Sequence, residues 1–232
     1  MASKNTNNTP DNLQNVENVL TKSEIFIEKY QKQIIYAVGV VVLVVLAILA
    51  FRNWYMVPRE NTAADKLAVC QSYFAADSFQ VALNGNGTDQ CIGFKGIIDE
   101  YGWTKSGDLA NVYAGICYYH LGDYKNAIHY LKKFDADDIN ESYAATGLIG
   151  DCYVNLGQTE EGIKYFLKAA DSQNDLVSPI YLKKAGIAYE SLGKYKDALA
   201  IYSKIKEKYA QSQEASDIER YIGRATVLAG KQ

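Results

Sequence analysis

The sequence predicts an all-α fold: a single transmembrane helix followed by a short solenoid of helical repeats. Three observations carry this. Ile34–Phe51 is an apolar run of 18 residues without a charge. Behind it stand 181 residues that read as soluble and repeat a Gly and Tyr pattern at spacings of 35 and then 36 residues. Apolar residues in that part recur every three or four positions, the period of a helix.

Residues 1–33 form a polar leader. Val16, Val19, Leu20, Ile27 and Tyr30 stand at helical spacing and allow an amphipathic helix running towards the apolar run, whereas Met1–Asn12 is polar and expected to be disordered. Whether that helix lies on a membrane surface is left open by the residues.

The anchor is assigned to residues 34–55. Its 18 apolar residues rise about 27 Å as a helix, close to a hydrocarbon core of about 30 Å. Thirteen of them are Val, Ile, Leu or Phe, which sum to about −4 to −8 kcal/mol on an insertion scale with no internal polar group to offset them. Tyr30 and Lys32 on one side, and Arg52, Trp54 and Tyr55 on the other, are residues that settle at headgroup level. A cleaved signal is the competing reading, but a signal opens on a short basic stretch and here an Asn-rich leader precedes the run. Charge does not orient it, since Lys22, Lys29 and Lys32 balance Arg52, Arg59 and Lys66. A short leader with no fold of its own favours a cytoplasmic N-terminus and an exported, in a bacterium periplasmic, C-terminal part.

Residues 59–232 carry 19 Lys and Arg against 23 Asp and Glu, a net of −4 without long runs. That charge offers no basic phosphate-binding face, so nucleic acid is not an expected partner. Cys70, Cys91, Cys117 and Cys152 form no CxxC pair and none has a His at ligand spacing. Each sits beside apolar residues in a helical pattern, which favours buried free thiols; a Cys70–Cys91 bridge stays open.

Residues 59–107 read as a divergent first repeat. Thr62–Phe79 and Asp89–Tyr101 suit two helices joined by a loop containing Asn84-Gly85-Asn86-Gly87, with Phe94, Ile97, Ile98 and Tyr101 on one face. Asn-Gly also marks β-hairpins, but the flanks lack alternation.

Residues 108–211 hold the clear echo. Ala114-Gly115-Ile116-Cys117-Tyr118 returns as Ile149-Gly150-Asp151-Cys152-Tyr153 and as Ala185-Gly186-Ile187-Ala188-Tyr189. A Leu-Gly turn follows each, at Gly122, Gly157 and Gly193, and then a small residue with a large one four later: Ala127 and Leu131, Gly162 and Phe166, Ala198 and Tyr202. This skeleton resembles the tetratricopeptide repeat. Two helices cross closely where both are small, so Gly115, Gly150 and Gly186 are expected against Ala127, Gly162 and Ala198, with Tyr118, Tyr153 and Tyr189 filling the gap to the next repeat. The sequence departs from the family where Asn111, Thr146 and Leu182 replace the opening Trp and Ala210 the closing Pro. Residues 212–232 supply a capping helix, with Ile218, Tyr221, Ile222, Ala225 and Leu228 on one face.

The resemblance implies a concave groove lined by first helices. Its positions fall on Leu109, Val112, Ile116, Tyr119 and His120; on Ala144, Gly147, Asp151, Val154 and Asn155; and on Ile180, Lys183, Ile187, Glu190 and Ser191. Val112 and Ile116 stand where chaperone-binding relatives begin a Lys and Asn clamp on a peptide carboxylate. That mode is therefore disfavoured, leaving a groove suited to an extended or partly folded polypeptide.

Catalytic chemistry has no visible carrier. His120 and His129 lie in no nucleophile or metal motif, Gly85-Asn86-Gly87 lacks the Lys-Ser/Thr of a phosphate loop, and Asp137-Asp138 and Glu160-Glu161 suit turns and helix starts. The expectation is no enzyme, no cofactor, no metal and no small-molecule substrate.

The whole layout resembles the ancillary SecYEG translocon subunit (YfgM-like) family in its Bacteroidetes-type forms. The stretches that carry this are Glu24–Tyr30, Pro58-Arg59-Glu60, Phe94–Gly102 and Ile218–Ile222. The resemblance implies a membrane-bound binding protein beside the translocon, meeting secretory chains as they emerge and working with translocon subunits and a membrane-anchored prolyl isomerase. The alternative is a generic tethered scaffold for envelope assembly or cell division.

Overall fold

A computed structural model of the chain describes residues 10–134, 139–172 and 174–231. The polar segment before Pro10 and the Asp137-Asp138 pair lie outside them. The chain divides into two units, one ending at Pro58 and one spanning Arg59–Gln232.

In the first unit helix α1 (Pro10–Phe51) runs into a π-helical turn, Arg52–Met56, before α2 (Val57–Ala75) begins. The wider turn has a local cause. Pro58 lacks an N–H and its ring crowds the carbonyl four residues back, that of Trp54, so the backbone widens there. Large apolar side chains from Ile35 to Phe51 are exposed on every side, and the most apolar 18-residue stretch has a mean hydropathy of 3.1. A helix apolar all round has no face suited to water. By length and composition it can cross a membrane.

Among the described residues the regular elements of the second unit are all helices, and an isolated bridge between Thr88 and Cys91 is the one β-type pairing. After α3 (Phe79–Asn84) and α4 (Gly93–Tyr101), three hairpins follow: α5 (Lys105–His120) with α6 (Tyr124–Leu131), α7 (Ile139–Asn155) with α8 (Thr159–Ala170), and α9 (Ser178–Ser191) with α10 (Tyr195–Lys208). A 3-10 turn (Gln213–Asp217) and α11 (Ile218–Ala229) close the series.

All three hairpins turn in the same way. Gly122, Gly157 and Gly193 adopt φ of +79°, +75° and +70°, a left-handed conformation that side chains disfavour. The N–H groups of Asp123, Gln158 and Lys194 then donate back to the carbonyls of Tyr118, Tyr153 and Tyr189, each at 2.9 Å. This closure ends a helix while satisfying its last carbonyls.

The hairpin crossing refines the small-on-small expectation. A Cβ on Gly115 would lie 2.5 Å from Leu131 Cγ and 3.3 Å from the Ala127 carbonyl, and one on Gly150 would lie 2.6 Å from Phe166 and 3.1 Å from the Gly162 carbonyl. A Cβ on Gly186 would enter the Tyr202 ring. In the first two hairpins the small residue thus lets the backbones approach, and in all three the large residue four later fills the space the missing Cβ leaves. Tyr118 stacks on Tyr130 at 5.3 Å and Tyr153 on Tyr165 at 5.2 Å, both inside their own hairpin. In the third, Tyr189 packs into the same cluster as Ile201. Lys132 ties one hairpin to the next, lying 5.4 Å over both Tyr153 and Tyr165 and donating to Tyr153 Oη at 3.1 Å.

The N-terminal part is not the two-helix unit expected. The first helix stops at Ala75, Asp77 takes a φ of +54°, and the short α3 intervenes, its Phe79 packed edge-on against Phe74 and flat on His120 at 4.3 Å. Glu60 accepts from the backbone N–H groups of Lys105 (2.8 Å) and Ser106 (3.1 Å), and Thr104 Oγ1 from that of Gly107 (3.0 Å). These are donors that the first turn of α5 cannot satisfy itself. At the other end Ile218 and Ala225 of α11 are buried, and Tyr221 packs on Tyr202 at 5.3 Å.

Candidate binding groove

The first helices α5 and α7, with the end of α6 and Tyr181 of α9, enclose a hollow of about 420 Å³. Leu109, Val112, Tyr113, Ile116, Leu131, Phe134, Ala144, Ala145, Leu148, Asp151 and Tyr181 line it. One ionisable carboxylate stands in an otherwise apolar wall, and it is not free. Lys184 Nζ holds Asp151 Oδ2 at 2.6 Å and lies 5.8 Å from both the Phe166 and Tyr181 rings.

Of the positions expected to line a groove, Leu109, Val112, Ile116, Ala144 and Asp151 come together here. Ile180, Lys183 and Ile187 line a second hollow of about 400 Å³ with Lys184, Gln213, Glu214, Ser216 and Asp217. There the C-terminal turn lies against the third repeat: Lys183 pairs with Asp217 at 2.5 Å and sits 4.8 Å over Tyr221. Glu190 pairs with Arg224 of α11 at 2.7 Å. The Tyr202 hydroxyl next to this pair is pushed well above its ordinary pKa by burial and by the Glu190 carboxylate.

The remaining positions face neither hollow. Tyr119 packs edge-on against His120 and Tyr124, and burial, with the Asp151 carboxylate nearby, raises its hydroxyl pKa. Asn155 donates to the Asp151 carbonyl at 2.9 Å. Val154 fills the hairpin crossing, where a Cβ on Gly162 would lie 2.6 Å from its Cγ2. Gly147 is a seat: a Cβ there would enter the ring of Tyr181, whose hydroxyl donates to the Ala144 carbonyl at 3.4 Å.

Tyr181 is the residue that reading by position misses. It replaces the alanine of the earlier repeats, Ala110 and Ala145, while Gly147 replaces Val112 one repeat before. That reciprocal change of size, read across repeats in phase, is the signal that finds the pair. Lys184 and Asp151 follow the same rule, standing where Leu148 and Ile116 stand one repeat earlier.

Residues 103–169 match the family described as anaphase-promoting complex, cyclosome, subunit 3, and residues 182–212 the tetratricopeptide repeat family. No curated protein matches the sequence. Among solved structures the chain is similar to MamA protein, at 19% identity over 73% of this chain and 83% of that one, with a TM-score of 0.57. It is also similar to the nearly identical TPR-like repeats of a Podosopora anserina kinesin light chain, at 12% identity over 75% of this chain and 89% of that one, with a TM-score of 0.56. At such identities these likenesses bear on the fold, which is a helical solenoid of tetratricopeptide-type repeats. The matched repeats mark the chain as a protein-binding module.

Proposed function

We propose that this chain is a membrane-anchored binding protein of the bacterial envelope, associated with the Sec translocon, that takes extended apolar segments of secretory polypeptides as they emerge. The apolar hollow between α5 and α7 is the observation that carries this reading: Val112 and Ile116 offer hydrocarbon where a carboxylate clamp would offer Lys and Asn. Such a wall favours side chains of an unfolded segment over a charged chain end. In this reading α1 crosses the inner membrane with the leader in the cytoplasm and the repeats in the periplasm. A tether of that kind raises the local concentration of the groove at the exit, so modest intrinsic affinity suffices. The likeness in layout to ancillary translocon subunits adds translocon subunits and a membrane-anchored prolyl isomerase as neighbours, and the proposal assigns the chain no catalytic step.

A photo-crosslinking residue at Val112 in the full-length chain tests this directly. Capture of nascent exported polypeptides and translocon subunits is the expected result. Capture of one fixed envelope protein, with no nascent chains, contradicts it.

A further inference from the structure

Cys70 on α2 and Cys91, two residues ahead of α4, place their sulfurs 3.7 Å apart, and both residues are wholly buried. A disulfide needs about 2.05 Å, so closure asks for less than 2 Å of approach. The loop between them is folded back so that this meeting is built in. Gly85 and Gly87 take φ of +85° and +81°, Asn86 N–H donates to the Cys91 carbonyl at 3.1 Å, and Cys91 N–H donates to the Thr88 carbonyl at 3.2 Å. From α2, Lys66 Nζ reaches the Asp89 carbonyl at 2.6 Å. A Cβ on Gly85 would lie 2.5 Å from the Cys91 carbonyl oxygen, so the loop admits no looser packing at that point. Cys152 belongs to a different core cluster.

We propose that Cys70 and Cys91 form a disulfide by exchange with a disulfide donor, either a dithiol oxidoreductase in its oxidised form or oxidised glutathione, and that the bond staples the 85–91 loop to α2. One cysteine thiolate attacks a donor sulfur, which releases one donor thiol and leaves a mixed disulfide. The second thiolate attacks the protein sulfur of that bond, forming Cys70–Cys91 and releasing the second donor thiol. Two electrons pass from the pair to the donor, and the two thiol protons end on the donor thiols. Burial, with Cys91 beside it, pushes the Cys70 thiol up to about 12, so exchange is slow in the closed structure and proceeds when the loop opens. The inference does not depend on the groove. It draws on the exported placement only for where a donor is met.

The test uses the full-length chain in mild detergent, reduced and then incubated with oxidised and reduced glutathione, in buffer alone and in low urea. Free thiols are counted by maleimide mass tagging, and bonds are located by mapping peptides without reduction. The expected result is loss of two of the four thiols, a linked pair of peptides containing Cys70 and Cys91, and a Tm about 5–10 °C above that of the reduced chain. The double variant Cys117→Ala, Cys152→Ala keeps the bond. Four tagged thiols at every glutathione ratio, or a bridge to Cys117 or Cys152, overturns the proposal. The mapping of the unaltered chain decides the matter even where a variant fails to fold.

Discussion

Ile116 and Ile187 occupy the same position of the first and third hairpins, as do Val112 and Lys183, yet their surroundings have little in common. In the first, with α7 alongside, both residues line a hollow walled by hydrocarbon except for the Asp151 carboxylate, which Lys184 holds. In the third, the C-terminal turn and α11 lie beside them, and charged groups pair across: Lys183 with Asp217 of the turn, and Glu190 with Arg224 of α11. Gly147 and Tyr181 mark the border between the two regimes. A repeat position therefore fixes where a side chain sits, and the element packed next to it fixes what that side chain does.

Substitutions can break this contrast in graded steps. Gly150→Leu is expected to cost most, about 3 kcal/mol, because Phe166 and the Gly162 backbone fill the space; calorimetry of the chain should then show a Tm lower by about 6–12 °C. Gly147→Val is expected to cost about 2 kcal/mol by unseating Tyr181. Combined with Tyr181→Ala it recreates the Val112 and Ala145 arrangement of the preceding repeat, so a double-mutant cycle should recover about 1–2 kcal/mol. Purely additive losses would show that the two residues do not share that seat. Arg224→Met leaves the nearly buried Glu190 carboxylate without its partner and should cost about 1 kcal/mol, read as faster amide exchange in α11 than in α5.

The smallest effect is set by pH. Lys183, by its hydrogen bond, holds the Asp217 carboxyl below the ordinary carboxylate range. A carboxyl whose folded pKa is depressed contributes stability above its unfolded pKa, and that contribution fades as pH falls through the folded value. The protection factors of amides in residues 213–229, which remove the pH dependence of exchange in an unstructured chain, should therefore fall below about pH 4 while those in α5 do not. Equal response of both ends would contradict the assignment.

The solenoid was legible because its turn glycines, its tyrosines and its small and large pairs recur in phase, and each recurrence answers a local steric need. The apolar helix was legible from composition alone. Less could be read where a side chain's role depends on a neighbour from another repeat. Val154 and Glu190 share a position with Tyr119, but one fills a hairpin crossing and the other pairs with α11, and no periodic pattern separates those outcomes. The 76–92 segment escaped for a different reason: Asp77 with a positive φ breaks a helix that residue periodicity alone would carry on to Phe79.

The most direct measurement compares Ile116→Asp with Ile187→Asp for binding of an unfolded, apolar secretory segment, followed by fluorescence anisotropy. The account predicts affinity at least tenfold weaker, about 1.4 kcal/mol, for the first variant and nearly unchanged for the second, with both retaining a cooperative melt. Equal losses at the two positions, or a loss confined to Ile187→Asp, would contradict it.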